Sequence, residues 1–105
     1  MSGVLHGLRV IEMGTFITGP AAGVLLADQG ADVVKVEKPG TGDPFRMSAD
    51  GSLYDTNFQA FNRNKRSLAL DTVDPQDLAV FDALIADADV FIQNFRPGAA
   101  EKLNV

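Results

Sequence analysis

An α/β fold, half of a doubly wound parallel sheet, is what the order of elements in this chain predicts. Three observations carry the expectation. Apolar runs of strand length recur at residues 8–13, 32–37, 67–70 and 89–92, the segments between them carry helical periodicity, and Gly, Pro and Asp punctuate the joins. Strands that alternate with helices pair in parallel through right-handed crossovers.

The first run, LRVIEM, alternates and is rich in apolar residues. GTFITGP follows as a loop, Pro20 suits a first helical position, and AAGVLLADQ makes a compact apolar helix that Gly30 stops. DVVKVE is nearly continuous in apolar character, which predicts a strand buried on both faces. Residues 38–57 are polar and rich in Gly, Pro and Asp, so they read as a long loop with a short helix opening at Thr56 and ending at Phe61. The 67–70 strand comes next. The following helix carries the fullest set of signals: Asp74 as N-cap, Pro75 at the first position and Asp77 in the first turn. Its apolar stripe is Leu78, Phe81, Leu84, Ile85 and Ala88. DVFI forms the last strand, NFRPG ends it, and AAEKLNV begins a final helix. The order is β-α-β-loop-β-α-β-α, a Rossmann-like arrangement in which ligands sit beyond the carboxyl ends of the strands. The cations Lys38, Arg96 and Lys102 fall at or just after such ends.

Composition narrows the function classes. A chain of 105 residues holds one domain and buries roughly 65% of the surface its unfolded form exposes. Nine Lys and Arg stand against fourteen Asp and Glu, a formal net charge of −5, which argues against generic nucleic-acid binding. Cysteine is absent, which excludes disulfides, thiolate metal sites and a Cys nucleophile, and fits a reducing cytoplasm. Apolar runs stay well short of the ~18 residues of a membrane span, and MSGVLHGLRV lacks the features of a signal peptide. No metal and no membrane partner are expected.

The loop after the first strand is the obvious anion site, because helix N-termini offer free N–H groups. Gly14, Gly19 and Gly23 have the wrong spacing for the dinucleotide fingerprint, even though Glu37 stands where an NAD-type fold keeps its ribose acid. GTGDPF reads as a turn. In NFRPG, Asn94, Phe95 and Arg96 can bond to, stack on and pair with an adenine nucleotide, or simply cap a strand with a core Phe. His6 reads as a surface residue. Asp28, Asp32 and Asp71 read as caps and solvated faces. No nucleophile elbow or metal-ligand spacing occurs.

One charge cluster stands out. NRNKR, residues 62–66, precedes its strand and therefore sits at the edge opposite Lys38 and Arg96. Asn62, Asn64 and Arg66 are expected to fix the long loop or to pair with a partner chain, with a solvated charge run as the bland alternative.

Three stretches in order, LHGLRVIEMGTFITGPAAGVLLADQGADVVKVEKPGTGDPFR, NRNKRSLALD and ADVFIQNFRPGAAEKL, closely resemble the start of class III CoA-transferases, a family that includes formyl-CoA and carnitine CoA-transferases and has the α-methylacyl-CoA racemases as relatives. The resemblance runs from about residue 5 to residue 105. It implies the N-terminal part of a CoA-binding Rossmann-like large domain, interlocked homodimers, and CoA transfer between carboxylic acids through an aspartyl-CoA thioester. The partners implied are an acyl-CoA and a carboxylic acid.

Position by position, the resemblance places Ile17 and Thr18 beside the thioester and pantetheine. A glutamine stands at the Ile17 position in formyl-CoA transferases, so that specificity is not expected. Lys38 matches a cation for the adenosine phosphates. Leu70, Asp71, Thr72 and Val73 line the nucleotide, with Val73 where some members have Lys. Asn94, Phe95 and Arg96 match strand-end CoA contacts, and Lys102 a further phosphate-side cation. No Asp in this chain matches the family nucleophile, so the chain alone is expected to be an inactive fragment. A stand-alone CoA- or nucleotide-binding module and a racemase fragment are the alternatives.

Overall fold

The computed structural model describes residues 3–47 and 56–105. Four strands, β1 (Arg9–Glu12), β2 (Asp32–Glu37), β3 (Arg66–Ala69) and β4 (Val90–Ile92), form one all-parallel sheet in the order β3-β2-β1-β4. Five helical segments connect them: α1 (Thr18–Asp28), a 3-10 turn at Pro44–Met47, α2 (Thr56–Asn62), α3 (Pro75–Ala86) and α4 (Ala99–Lys102). The expected α/β, Rossmann-like class stands. Residues 48–55 of the predicted long loop lie outside the described residues.

Strand periodicity divides the side chains between two faces. Ile11, Met13 and Val36 point to one face, where they meet Leu70 and Phe81. The whole predicted stripe of α3, from Leu78 to Ala88, packs there, together with Phe95 and Leu103. Phe81 meets Phe91 edge-on at 5.8 Å between ring centroids. Val10 and Val33 point to the other face, under Ala27 of α1 and Ala31. Helices therefore cover both sides of the sheet, and β2 is buried on both faces as its sequence predicts.

Local signals explain the ends of most elements. Asp74 caps α3 by accepting from the Gln76 N–H at 3.0 Å, and Pro75 opens that helix. Gly30, at φ +103°, follows α1 in the left-handed conformation expected of a helix stop.

Several boundaries differ from the sequence expectation, among them β1, which is one residue shorter at each end than 8–13, and α2, which ends at Asn62 rather than Phe61. Helix α1 begins at Thr18, so Pro20 is its third residue rather than its first. Proline is tolerated throughout the first turn, because N–H groups there have no partner within the helix. β3 is shifted one residue earlier, and β4 starts at Val90. α4, which the sequence expects to begin in AAEKLNV, is a single turn, Ala99–Lys102, and Asn104 after it is left-handed at φ 62°.

Candidate functional site

The carboxyl ends of β1, β2 and β3 and the segment after β4 enclose a cleft of about 530 Å³. Its walls are mostly apolar, from Met13, Val36, Leu70, Val73, Phe95 and Leu103. Of the residues singled out from sequence, Lys38, Leu70, Asp71, Thr72, Val73 and Phe95 line it. Thr72 is buried, and its hydroxyl has no hydrogen-bond partner among the described residues, while its carbonyl accepts from Asn104 Nδ2 at 3.2 Å. Asp71 is exposed, and its carboxylate accepts from the Val73 N–H at 3.2 Å.

Ile17, Thr18, Asn94, Arg96 and Lys102 do not line the cleft; Thr18 and Asn94 meet at the start of α1, which follows Ile17. Asn94 donates to Thr15 O and to Thr18 Oγ1, both at 2.9 Å, and accepts from the Thr15 N–H at 2.9 Å. Its amide is thus committed to the loop between β1 and α1. Gly14 and Gly19 let that loop close on itself, since a Cβ on Gly14 would lie 2.8 Å from Gly19 Cα.

A buried charge network lies on the α1 face of the sheet and reaches the cleft through Glu37 and Asp43, and sequence reasoning missed it. Val33, Lys35 and Glu37 share one face of β2 by strand periodicity, with Glu12 on the same face of β1. Lys35 is 2% exposed. Its ammonium donates to Glu12 Oε2 at 3.1 Å and Gly14 O at 3.0 Å, and lies 3.0 Å from Asp43 Oδ2 as an ion pair. Lys65 donates to the other oxygen of Glu12, to Pro20 O at 3.0 Å and to Asn62 Oδ1 at 2.8 Å. Burial pushes the Lys65 ammonium's pKa down, against the pull of Glu12.

Glu37 accepts from the Asp43 N–H at 2.9 Å, from Ser67 Oγ, and from Arg46 through two nitrogens at 2.8 and 2.7 Å. Burial opposes its ionisation, but the bonds from Arg46, Ser67 and Asp43 outweigh that and hold the carboxyl at about 2. Arg46 also stacks over the Phe58 ring at 4.1 Å. Three carboxylates face three cations, so the network is charge-balanced.

The NRNKR cluster also departs from expectation. Asn64 donates to Asp28 Oδ1 at 2.9 Å, and Arg63 pairs with Asp28 at 2.6 Å. Arg66 grips both oxygens of Asp32, at 2.8 and 2.7 Å. Asn62 serves Lys65 and donates to Phe58 O. Among the described residues these side chains fasten α1, α2 and the start of β2. Asp28 and Asp32 therefore hold cations rather than standing as plain solvated positions. His6 is exposed, as expected.

Arg9 pairs with Asp87 at 3.8 Å. Six of the nine Lys and Arg residues are thus committed to carboxylates. The other three, Lys38, Arg96 and Lys102, are exposed and have no ion pair or side-chain hydrogen bond among the described residues. All three follow the carboxyl ends of strands, which is where an open α/β sheet receives anions.

The model of CoA-transferase family III matches residues 5–105. The chain belongs to CoA-transferase family III. It is 43% identical over 107 residues to a succinyl-CoA:mesaconate CoA-transferase of Haloarcula hispanica, an alignment covering 97% of this chain and 27% of that relative. It is 42% identical over 108 residues to a formyl-CoA:oxalate CoA-transferase of Rhodopseudomonas palustris, covering 98% and 25%. A CAIB/BAIF family protein from Brucella suis shares the fold at a TM-score of 0.90 and 36% identity, over 100% of this chain and 29% of that one. The chain thus spans about a quarter of the length of the curated family III relatives it matches. Among the described residues, no helix is long and apolar enough to cross a membrane.

Proposed function

We propose that this chain is the N-terminal CoA-binding portion of a family III CoA-transferase that moves CoA between carboxylic acids. The observation that carries the proposal is the distribution of charge. Three cations without an ion pair among the described residues follow strand ends. One of them, Lys38, lines a largely apolar cleft whose own carboxylates are neutralised or exposed, while Arg96 and Lys102 stand next in sequence to its lining residues Phe95 and Leu103. A nucleotide with several phosphates needs an apolar wall for its base and cations at its edge.

In this proposal Leu70, Thr72, Val73 and Phe95 wall the nucleotide, with Asp71 at its margin. Lys38, Arg96 and Lys102 meet phosphates. Ile17 and Thr18 stand beside the pantetheine and thioester, and Asn94 fixes the loop that carries them. The nucleophile is an aspartate outside this chain. Its carboxylate attacks the acyl-CoA carbonyl and expels the CoA thiolate, giving a mixed anhydride. The thiolate then attacks the aspartyl carbonyl, releasing the donor acid and leaving an aspartyl-CoA thioester for the acceptor acid. The 105 residues alone have no turnover. The intact enzyme is an interlocked homodimer in the cytoplasm.

Titration calorimetry of CoA into the intact protein tests the binding half, and acyl transfer between two carboxylic acids tests the chemistry. Binding with transfer is expected. Absence of CoA binding at low salt defeats the proposal, and binding without turnover in the intact protein leaves a CoA-binding module instead.

A further inference from the structure

We propose that Asp43 is a positioning residue that sets the backbone of the loop between β1 and α1; the consequence for catalysis rests on the function proposed above. Asp43 is 2% exposed. Its Oδ1 accepts from the Phe16 N–H at 3.2 Å and from the Phe45 N–H at 3.0 Å. Its Oδ2 faces Lys35 Nζ at 3.0 Å, and its own N–H donates to Glu37 Oε1 at 2.9 Å. One carboxylate thus ties the loop after β1 to the loop after β2, at the edge of the cleft that both loops line.

The loop it grips is templated by side chains at almost every backbone group. Gly14 N–H donates to Glu12 Oε2 at 2.8 Å, and Gly14 O accepts from Lys35 at 3.0 Å. Thr15 N–H and O both bond to Asn94. Phe16 N–H goes to Asp43. These partners come from β1, β2, the loop after β2 and the segment after β4. None of those bonds belongs to a regular element, so the loop's shape depends on the side chains that hold it.

Phe16 shows that the shape is imposed. Its φ is 60°, a left-handed conformation that a bulky residue avoids unless its surroundings dictate it. The residues that follow are Ile17 and Thr18, which the proposed function places at the thioester. A reacting group displaced by about 1 Å loses on the order of 100-fold in rate. Asp43 borders the cleft beside Gly14 and Thr15, and it acts on the segment that carries Ile17 and Thr18 through the Phe16 N–H.

The test uses the intact protein with Asp43→Ala and Asp43→Asn. Asparagine keeps an oxygen for the Phe16 and Phe45 N–H groups, whereas alanine removes it. For Asp43→Ala, kcat with an acyl-CoA is expected to fall on the order of 10- to 100-fold, with free-CoA affinity within about twofold of wild type. Asp43→Asn is expected to recover most of kcat. An unchanged kcat in Asp43→Ala overturns the proposal, as does a parallel loss of kcat and CoA affinity in both variants.

Amide hydrogen exchange at Phe16 is read on the same samples and needs no activity. Protection lost with alanine and kept with asparagine supports the positioning role; protection kept with alanine overturns it. Should Asp43→Ala fail to fold, Asp43→Asn decides: Phe16 protection retained supports the role, and protection lost in a folded protein overturns it. Wild-type protein that binds no CoA condemns the function proposed above, and the exchange result then decides the positioning role by itself.

Discussion

Lys65 and Glu12 lie 53 residues apart in sequence, yet the Lys65 ammonium donates to Glu12 Oε1 inside the fold. The two oxygens of Glu12 are divided between two lysines, Lys65 on one and Lys35 on the other. Each ammonium has three oxygens around it, but Lys35 meets Asp43 Oδ2 as an ion pair only, and that buried oxygen has no hydrogen-bond partner among the described residues. The energetic weight of the network shows when one member is removed.

Lys65→Met performs that removal. It leaves one oxygen of a buried carboxylate and the Pro20 carbonyl without their donor. Breaking one side of a buried pair costs about 3–5 kcal/mol. Urea unfolding is expected to show that loss, and the double variant Lys65→Met/Glu12→Gln to lose less than the two single variants added together. Full additivity would mean that the two groups do not interact.

Glu37 makes stability depend on acid. Its carboxyl is held at about 2 in the fold, against an ordinary 4.5. As pH falls, the unfolded chain takes up the proton first, so acid favours unfolding. The stabilisation is complete above pH 4.5 and is lost between 4.5 and 2. It amounts to about 3 kcal/mol. Urea midpoints measured at pH 7, 4 and 3 are expected to fall for the wild type. Glu37→Gln is expected to be weaker at pH 7 and flatter with pH; parallel curves for the two proteins would exclude Glu37 as the source.

Most of the layer architecture was legible because it rests on local signals. Asp74, Pro75 and the Leu78 to Ala88 stripe define α3 without help from the rest of the chain, and they sit where expected. Lys38 was legible as a cation of the cleft because parallel topology sends every strand end to one side, whereas Arg96 and Lys102, singled out on the same ground, lie outside its lining. The buried network was not read, although the signal was present. A strand buried on both faces obliges Lys35 and Glu37 to be buried as well, and a buried charge requires a partner. Lys35 meets Glu12, 23 residues before it, and Asp43, while Glu37 is bonded by Arg46 and by Ser67, 30 residues on; these groups become neighbours only when the strands pair and the loop after β2 docks. The start of α1 was misplaced for a related reason: Asn94, 76 residues away from Thr18, bonds its hydroxyl.

Gly14 and Gly19 test the closure of that loop. Each would place a new Cβ against the other's Cα, at 2.8 and 2.9 Å. Neither neighbour is a flexible side chain that could swing away. Gly14→Ala is therefore expected to cost about 1–3 kcal/mol as an overpacked contact, and Gly19→Ala a similar amount. Thermal unfolding of each variant measures the cost. A melting temperature unchanged in Gly14→Ala would show that the two backbones do not approach as closely as described.

The exposed rim supplies the last prediction. Lys38, Arg96 and Lys102 are free to meet phosphate, whereas Arg63 is committed to Asp28. A charge-assisted contact at an exposed site contributes about 1 kcal/mol, roughly fivefold in affinity, and weakens as salt screens it. Arg96→Ala is expected to weaken CoA binding to the intact protein several-fold at low salt and to flatten its salt dependence. Lys38→Arg is expected to tighten binding, because a guanidinium bonds phosphate through a planar fork that an ammonium lacks. Arg63→Ala carries the same charge change and should leave CoA affinity unaltered. Calorimetric titrations at two salt concentrations separate these cases. Equal losses in Arg96→Ala and Arg63→Ala would mean that net charge alone draws the nucleotide, and that the rim residues do not contact it.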